Sequence, residues 1–255
     1  MNEVLKVIKE RGSLRGYKDK KITQEAIDLI IESAMRAPTA GNMMLYSIIV
    51  VKSNVIKEKL AVSCDNQPFI AKAPALLIFL ADYSKWYKYY EQNNVEEFLK
   101  GKGEKLEGPT EANLILATED ALVAAQNAVI AAESLGIGSC YIGDIMEKVE
   151  YHRQLLKLPK YVFPVVMLTL GYYPDNYHVP LKTRFNKEYV VFEDEYRELS
   201  KEEINAMYKE RDSLYIEENK YGANNYAQMH YSFKTKAEFS KEMTRSVKEE
   251  LKNWK

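Results

Sequence analysis

Two arginines near the start of the sequence have the type and spacing that suit an anion. The stretch "KERGSLRGYKD", residues 9–19, places Arg11 and Arg15 four residues apart, with Gly12 and Ser13 between them. Guanidinium groups form bidentate, charge-assisted hydrogen bonds to phosphates and carboxylates, and a serine hydroxyl can add another. Arginines at the end of a helix also commonly interact with its carbonyl groups or with solvent, so this pair alone leaves both interpretations open.

A second basic pair lies much later in the sequence. In "VPLKTRFN", Lys182 and Arg184 are two residues apart, so in an extended segment both side chains point to the same face. Two unit charges about 6 Å apart repel by roughly 1.4 kcal/mol at an effective dielectric near 40. A cluster of four such cations is therefore unfavourable when empty and favourable around a phosphate dianion. The two pairs predict a phosphate site if the fold brings them together.

The other titratable residues show no pattern of a metal site or a catalytic nucleophile. The sequence has two cysteines, Cys64 and Cys140, and three histidines, without the spacing of a metal-ligand set. Neighbouring carboxylates such as Glu96 and Glu97 are typical of a solvated helix face. We therefore predict no metal site and assign no catalytic side chain.

Composition excludes several classes of protein. With 255 residues, 46% of them hydrophobic, the chain can bury a substantial core. Its 36 basic and 37 acidic side chains nearly cancel, so no positive field favours nucleic acid. Apolar runs such as "ALLIFLA" are shorter than the roughly 20 residues that span a bilayer, and "MNEVLKVIKER" lacks the features of a signal peptide. We expect a cytoplasmic protein that binds neither nucleic acid nor membrane.

Predicted helices alternate with short apolar strands over most of the chain. The pattern predicts a helix over 2–10, capped by Asn2, and a second one that begins after Thr23. Apolar runs predict strands at "YSIIVV", "APALLIFLAD", "GSCYIG" and "PVVMLTLGYYP". Residues 113–135 are apolar around much of a helix circumference and end at Gly136, which predicts a central helix. This order indicates an α+β chain arranged as an α/β/α layered sandwich.

Two regions differ from this pattern. Residues 83–110 begin with a group of aromatic side chains and continue into "KGKGEKLEGPT", which predicts a helical excursion that ends in a mobile loop. After about residue 195 the charge density rises, and "ENKYGANNYAQMHYSF" separates two predicted helices. We therefore expect a main domain over 1–198 and a helical extension over 199–255 that packs on the body or on a second subunit.

Five motifs, taken in order, resemble the FMN-dependent nitroreductase family. They are "RGSLRGY", "APTAGNMMLY", "NQPFIAKAPALLIFLAD", "AAQNAVIAAESLGIGSCYIG" and "LGYYPDNYHVPLKTR", and the likeness runs from about residue 3 to residue 197. The sequence is most similar to the oxygen-insensitive NADPH nitroreductase and flavin reductase branch. The resemblance implies a nitroreductase-like fold, with a mixed, largely antiparallel central sheet, a long central helix and an extended C-terminal arm. It also implies a tightly bound, non-covalent FMN that NADH or NADPH reduces.

The resemblance further implies which residues contact the FMN. The phosphate would lie on the two basic motifs, the loop "PTAGN" along the edge of the isoalloxazine ring, and the end of the strand "GSCYIG" beside that ring. The implied contacts are Arg11, Gly12, Ser13, Arg15, Pro38, Thr39, Ala40, Asn42, Gln67, Tyr141, Ile142, Gly143, Lys182 and Arg184. Gln67 has a second interpretation, since it could instead cap the turn before Pro68.

Two positions and one segment depart from the branch. Asp144 and Met146 stand where the branch carries a small residue and an arginine, which removes one cation from the implied phosphate site. The segment "YGANNYAQMHYSFK" has no arginine, although arginines near the C-terminus are implied to bind the 2′-phosphate of NADPH. We therefore predict that any preference for NADPH is weakened or lost.

The implied activity is that of an FMN-dependent NAD(P)H oxidoreductase. Hydride would pass from the nicotinamide to flavin N5 and then, in a ping-pong exchange, to a small acceptor such as a nitroaromatic, a quinone or a free flavin. The resemblance also implies a homodimer with FMN at the subunit interface. Two alternatives remain open: another FMN reaction, such as dehalogenation or an oxidase reaction, and a flavin-binding protein without significant turnover. The aromatic group Trp86, Tyr87, Tyr89 and Tyr90 could equally stack on an acceptor or pack on the body.

Overall fold

A four-stranded sheet organises the chain, and the computed structural model describes all 255 residues. Its strands are β1 (Tyr46–Val51), β2 (Ala75–Asp82), β3 (Ile137–Ile142) and β4 (Val162–Tyr172). They pair in the order β1-β2-β4-β3, and every neighbouring pair is antiparallel. An isolated parallel bridge, outside the four strands, pairs Ser13 with Ser139 of β3. All four strands that the sequence predicts are therefore confirmed.

Eleven α-helices accompany the sheet. They are α1 (Glu3–Glu10), α2 (Gln24–Met35), α3 (Asn54–Ser63), α4 (Pro68–Lys72), α5 (Ser84–Gln92), α6 (Val95–Lys100), α7 (Glu111–Ser134), α8 (Val149–Leu156), α9 (Lys201–Asp212), α10 (Tyr226–His230) and α11 (Glu238–Leu251). Asn2 caps α1 by accepting from the Leu5 amide at 2.9 Å, as predicted. Gly136 lies just after the end of α7, as predicted. Its φ of 71° is in the left-handed region, which a glycine adopts without strain.

The two central strands are covered on both faces. Every residue of β2 is buried, and alternate side chains enter two separate hydrophobic clusters. Leu77 and Phe79 belong to the cluster that contains the buried residues of α2 and α7, whereas Leu76 and Ile78 belong to the cluster that contains Leu60 of α3. Because successive strand residues point to opposite faces, the sheet lies between two helical layers. The α/β/α layered sandwich is confirmed.

The central helix α7 has two different apolar faces. Small residues on one side, Ala117, Ala121, Ala124, Ala125, Ala128 and Ala132, are fully buried, which lets the helix approach the sheet and α2 closely. The other side exposes Ile115, Leu116, Leu122 and Val123. By length and composition α7 would pass for a membrane span, but it is a core helix of this layered fold.

The region after β2 is helical, as the sequence predicts. Trp86 in α5 donates its indole N–H to the carbonyl of Met43 at 2.8 Å, and Tyr87 packs edge-on against Tyr161 with ring centroids 5.2 Å apart. Tyr89 stays 56% exposed. Packing on the body therefore accounts for Trp86 and Tyr87.

The chain divides into two compact units. One unit comprises Met1–Pro180 with Glu242–Lys255, and the other comprises Leu181–Lys241. The final residues belong to the first unit because Trp254 is completely buried in its larger hydrophobic cluster. In the second unit, the segment predicted to separate two helices itself contains α10. The functional division into a main domain over 1–198 and an extension over 199–255 stays a prediction.

Candidate functional site

The segment that follows α1 lies along β3. Its Leu14 amide donates to the carbonyl of Ser139 at 2.9 Å, and the Leu14 side chain is fully buried. A Cβ added at Gly138 would come within 2.7 Å of the Leu14 side chain, so only a glycine there admits this close approach. The contact brings Arg11, Ser13 and Arg15 beside β3, which ends at Ile142. Burial raises the pKa of the neighbouring Cys140 thiol, and the positive charges of Arg15 and Arg11 act in the opposite direction.

Arg11 and Arg15 lack acidic partners. No carboxylate oxygen lies within 4.0 Å of either guanidinium. The Nε atom of Arg11 is buried and makes no hydrogen bond. By contrast, Arg153 and Arg245 each form an ion pair, at 3.0 and 2.7 Å. A buried donor without a partner costs about 1–3 kcal/mol, so the structure favours an external acceptor at Arg11.

Beyond β3 the chain turns sharply through Gly143–Met146, and Gln67 contacts this turn. The Gln67 Nε2 atom donates to the carbonyl of Cys64 at 2.9 Å and to Oδ2 of Asp144 at 2.6 Å. Gln67 precedes α4, but its side chain makes no cap hydrogen bond to that helix. Its amide therefore closes the turn that precedes Pro68, which is the second interpretation given above, and also joins that turn to the one after β3. A contact with FMN stays a prediction.

The end of β3 carries an aromatic side chain, Tyr141, and leads into a backbone segment at Gly143 that no side chain covers. Tyr141 is half-buried and donates its hydroxyl to Oε1 of Gln126 at 3.2 Å. Burial raises the pKa of Tyr141 to about 12, so its hydroxyl stays protonated at neutral pH. Ile142 is buried, and a Cβ added at Gly143 would meet only open space. The backbone at Gly143 is therefore accessible to a flat molecule.

A buried histidine holds the same turn to α3. The Nδ1 atom of His152 lies 2.9 Å from the carbonyl of Ile145, which can only accept, so Nδ1 carries the proton. Its Nε2 atom then accepts from the Ser63 hydroxyl at 2.7 Å. Burial lowers the pKa of His152, which keeps the ring neutral. His152 therefore has a structural role at the turn, in keeping with the lack of a nucleophile–base pattern in the sequence.

The loop that contains Pro38, Thr39, Ala40 and Asn42 is attached to the central helix. Asp120 of α7 accepts from the Ala40 amide at 2.9 Å and from the Leu45 amide at 3.0 Å. Asp120 is almost completely buried, and none of the loop's hydrogen bonds reaches β3 of the same chain. Asp120 is not among the residues predicted from the sequence. The available signal was a single aspartate within the alanine-rich stretch "ATEDALVAAQ".

The second basic pair belongs to the unit Leu181–Lys241. Lys182 and Arg184 are both exposed, and neither has a carboxylate within ion-pair distance. Arg184 donates to the carbonyl of Lys182 at 2.9 Å and borders a cavity of about 450 Å³ together with Lys209 and Arg211. The two basic pairs lie in different units, and their convergence on a single phosphate stays a prediction.

The chain is similar to known proteins in both sequence and structure. A family model described as the nitroreductase family matches residues 8–172, which is more than half of the chain. The chain belongs to the nitroreductase family. A relative named FMN reductase (NADPH), from Bacillus subtilis, is 36% identical over 196 residues, covering 77% of this chain and 75% of that protein. A second, FMN reductase [NAD(P)H] from the same organism, is 32% identical over 219 residues and covers 85% and 84% of the two chains. The solved structure of NfrA2 from B. megaterium is 30% identical, covers 98% of both chains and superposes with a TM-score of 0.81.

An acidic group, which includes the buried Glu147, lies beside the turn after β3. Glu147 is only 3% exposed, and its Oε1 atom has no hydrogen-bond partner. Burial raises the pKa of Glu147 to about 7, and the charges of Asp144 and Asp65 act in the same direction. Asp144 is one of the predicted departures from the branch, whereas Glu147 is not predicted, because nothing in the local pattern shows that this glutamate is buried.

Proposed function

We infer that the chain is an FMN-dependent NAD(P)H oxidoreductase. One observation supports this most strongly: a nitroreductase-family chain presents Arg11 and Arg15 without acidic partners, next to the accessible backbone that follows β3. Unpaired guanidiniums and the exposed Ser13 hydroxyl fit a phosphate dianion, and the open turn at Gly143 fits a flat ring. The names of the two relatives, FMN reductase (NADPH) and FMN reductase [NAD(P)H], agree with this inference.

The residues of the chain would bind and orient the cofactor, which supplies the redox chemistry when bound by accepting hydride and passing on electrons. The phosphate would be held by Arg11, Ser13 and Arg15, with the Gly12 backbone close by, and by Lys182 and Arg184. The ring would be bordered by Gln67 and the segment Tyr141, Ile142 and Gly143, and by the loop residues Pro38, Thr39, Ala40 and Asn42. No side chain is needed as a general acid or base, and none is assigned.

The same open site would serve the nicotinamide and the acceptor in turn. This gives a ping-pong exchange, with flat, electron-poor acceptors such as nitroaromatics, quinones or free flavins. Because the segment "YGANNYAQMHYSFK" has no arginine for a 2′-phosphate, NADPH has little advantage over NADH. The values of kcat/KM for the two reductants measure this directly, and a preference for NADPH of more than about tenfold contradicts it.

The active form would be a homodimer. The loop with Pro38, Thr39, Ala40 and Asn42 is attached to α7, and α7 exposes four large apolar side chains near it. A second copy that covers this face would bring its own loop to the site beside β3. We place the enzyme in the cytoplasm, where its two free, buried cysteines would remain reduced.

The purified protein tests the proposal through its colour. We expect a yellow protein whose visible absorbance matches oxidised FMN and is bleached by NADH or NADPH under anaerobic conditions. A quinone should then restore the absorbance with multiple turnovers. A protein that stays colourless after incubation with FMN contradicts the assignment. One that binds FMN but is not reduced by either nucleotide contradicts the oxidoreductase activity and favours flavin binding without turnover.

A further inference from the structure

The hydrogen bond between Gln67 and Asp144 joins two residues that lie far apart in the sequence. An amide nitrogen carries two hydrogens, and both are used here, one by the carbonyl of Cys64 and one by the carboxylate of Asp144. The Oε1 atom of Gln67 makes no hydrogen bond within the protein. Gln67 therefore has its acceptor free and its donors occupied.

Asp144 decides which way this amide points. Turning the amide by 180° would place Oε1 of Gln67 against the carbonyl of Cys64 and the carboxylate of Asp144, both of which are acceptors. A glutamine beside a neutral, apolar residue would be restricted by the carbonyl of Cys64 alone. A hydrogen bond to a charged group is also stronger than one between neutral groups. The carboxylate thus selects one orientation of the amide.

The charge of Asp144 is not neutralised nearby. No lysine or arginine nitrogen lies within ion-pair distance of its carboxylate. Asp144 and Asp65 both raise the pKa of the nearby Glu147, and Lys148 opposes them without forming an ion pair to Asp144. Asp144 is half-buried, so water screens its charge only in part. The turn after β3 consequently presents a negative potential where the sequence resemblance implies a small neutral residue.

We propose that Asp144 is a positioning residue for the flavin ring and also disfavours its reduction. By fixing the amide of Gln67, it presents Oε1 as an acceptor for a ring N–H group, such as the one at N3. Its carboxylate opposes the additional electron density of the reduced ring and so lowers the midpoint potential. This inference rests on the proposed function, since it concerns the same FMN site.

Two substitutions separate the two effects. Asp144→Asn keeps an oxygen that can accept from Gln67 but removes the charge, whereas Asp144→Ala removes both. We expect both variants to raise the midpoint potential of bound FMN in a spectroelectrochemical titration. Only Asp144→Ala should also weaken FMN binding, by roughly tenfold, which corresponds to a typical coupling between contacting residues. Glu104→Gln, which removes one exposed charge elsewhere, is the matched control and should change neither quantity.

A double-mutant cycle tests whether Asp144 acts through Gln67. In a Gln67→Ala background, Asp144→Ala should cause no further loss of FMN affinity. Additive losses overturn the positioning role, and a midpoint potential of Asp144→Asn equal to that of the wild type overturns the role of the charge. Circular dichroism of each variant checks that it is folded. If the wild-type protein binds no FMN, the proposed function is wrong. If the wild-type protein binds FMN and is reduced normally, and the Asp144 variants have the same FMN affinity and midpoint potential, only this inference is wrong.

Discussion

Arg11 and Arg15 have positive charges that no carboxylate of the chain neutralises, and this determines how their substitution should act. Arg15→Gln removes a charge-assisted, bidentate donor, so FMN affinity should fall by about 1.5–3 kcal/mol, or roughly 10- to 150-fold. Arg15→Lys keeps the charge but not the planar fork and should give an intermediate loss. Fluorescence titration of flavin-free protein with FMN measures the affinities.

The control for this prediction is Lys248→Gln, which removes an exposed charge on α11. The flavin-free Arg15→Gln variant should be no less stable than the wild type, because the lost cation has no acidic partner. Equal FMN affinities of Arg15→Gln and Lys248→Gln would show that Arg15 does not bind the phosphate.

The raised pKa of Glu147 predicts how the free energy of unfolding depends on pH. Burial, with Asp144 and Asp65 close by, raises its pKa from 4.5 to about 7, while Lys148 acts in the opposite direction and Glu242 adds to the rise. The folded protein then binds the proton more tightly than the unfolded chain, so Glu147 makes stability fall as pH rises from about 4.5 to 7. Above pH 7 this loss is complete.

Glu147→Gln should therefore be more stable than the wild type at pH 8, with the difference shrinking toward pH 5. Urea unfolding at the two pH values measures it, and Glu104→Gln, at an exposed position, should show no such trend. A difference between Glu147→Gln and wild type that is the same at both pH values would mean that Glu147 ionises normally in the folded protein.

At the scale of secondary-structure elements, Asp120 links the loop 38–42 to α7. Asp120→Ala leaves two backbone N–H groups, those of Ala40 and Leu45, without their acceptor. The free energy of unfolding should fall by about 3 kcal/mol, as measured by urea denaturation. Asp120→Asn retains one acceptor and should lose less. Glu119→Ala, at an exposed position next to it on the same helix, is the control, and an equal effect of both alanine variants would contradict the anchoring role.

Local pattern explains which elements were predictable. The four strands and the helices α1, α2 and α7 follow from apolar periodicity and from caps such as Asn2, which depend on neighbours in the sequence. The helix α3 was not predicted, because its buried face includes Lys57, whose ammonium group donates to the carbonyls of Ala73 and Pro74. A lysine on the inner face breaks the apolar pattern, and only the folded chain supplies its acceptors.

The same distinction applies to the candidate site. The basic motifs with Arg11 and Arg15 are visible as short sequence stretches. The hydrogen bond from Gln67 to Asp144, and the anchoring of the loop 38–42 by Asp120, each join residues more than 70 positions apart. Such pairs follow from the packing of α7 against the sheet and from the position of β3 within it, and they leave no local signal.

For the molecule as a whole, the exposed apolar side of α7 predicts the oligomeric state. Ile115, 60% exposed, lies on this side, and we expect it to be covered in a homodimer. Ile115→Lys should shift the protein toward monomer in sedimentation and weaken FMN binding at the same time, because the partner's loop is lost. Glu111→Lys, at the exposed start of the same helix, should leave the dimer intact. A wild-type monomer that holds FMN would contradict this prediction.

The buried position of Trp254 has a practical consequence for protein production. Its ring packs against Tyr161, with centroids 5.8 Å apart, and its indole N–H donates to Glu250 at 3.2 Å, so this residue closes the larger hydrophobic cluster. Removal of Trp254 would leave an indole-sized hole in the interior. Shortened variants made for crystallisation should therefore retain this residue.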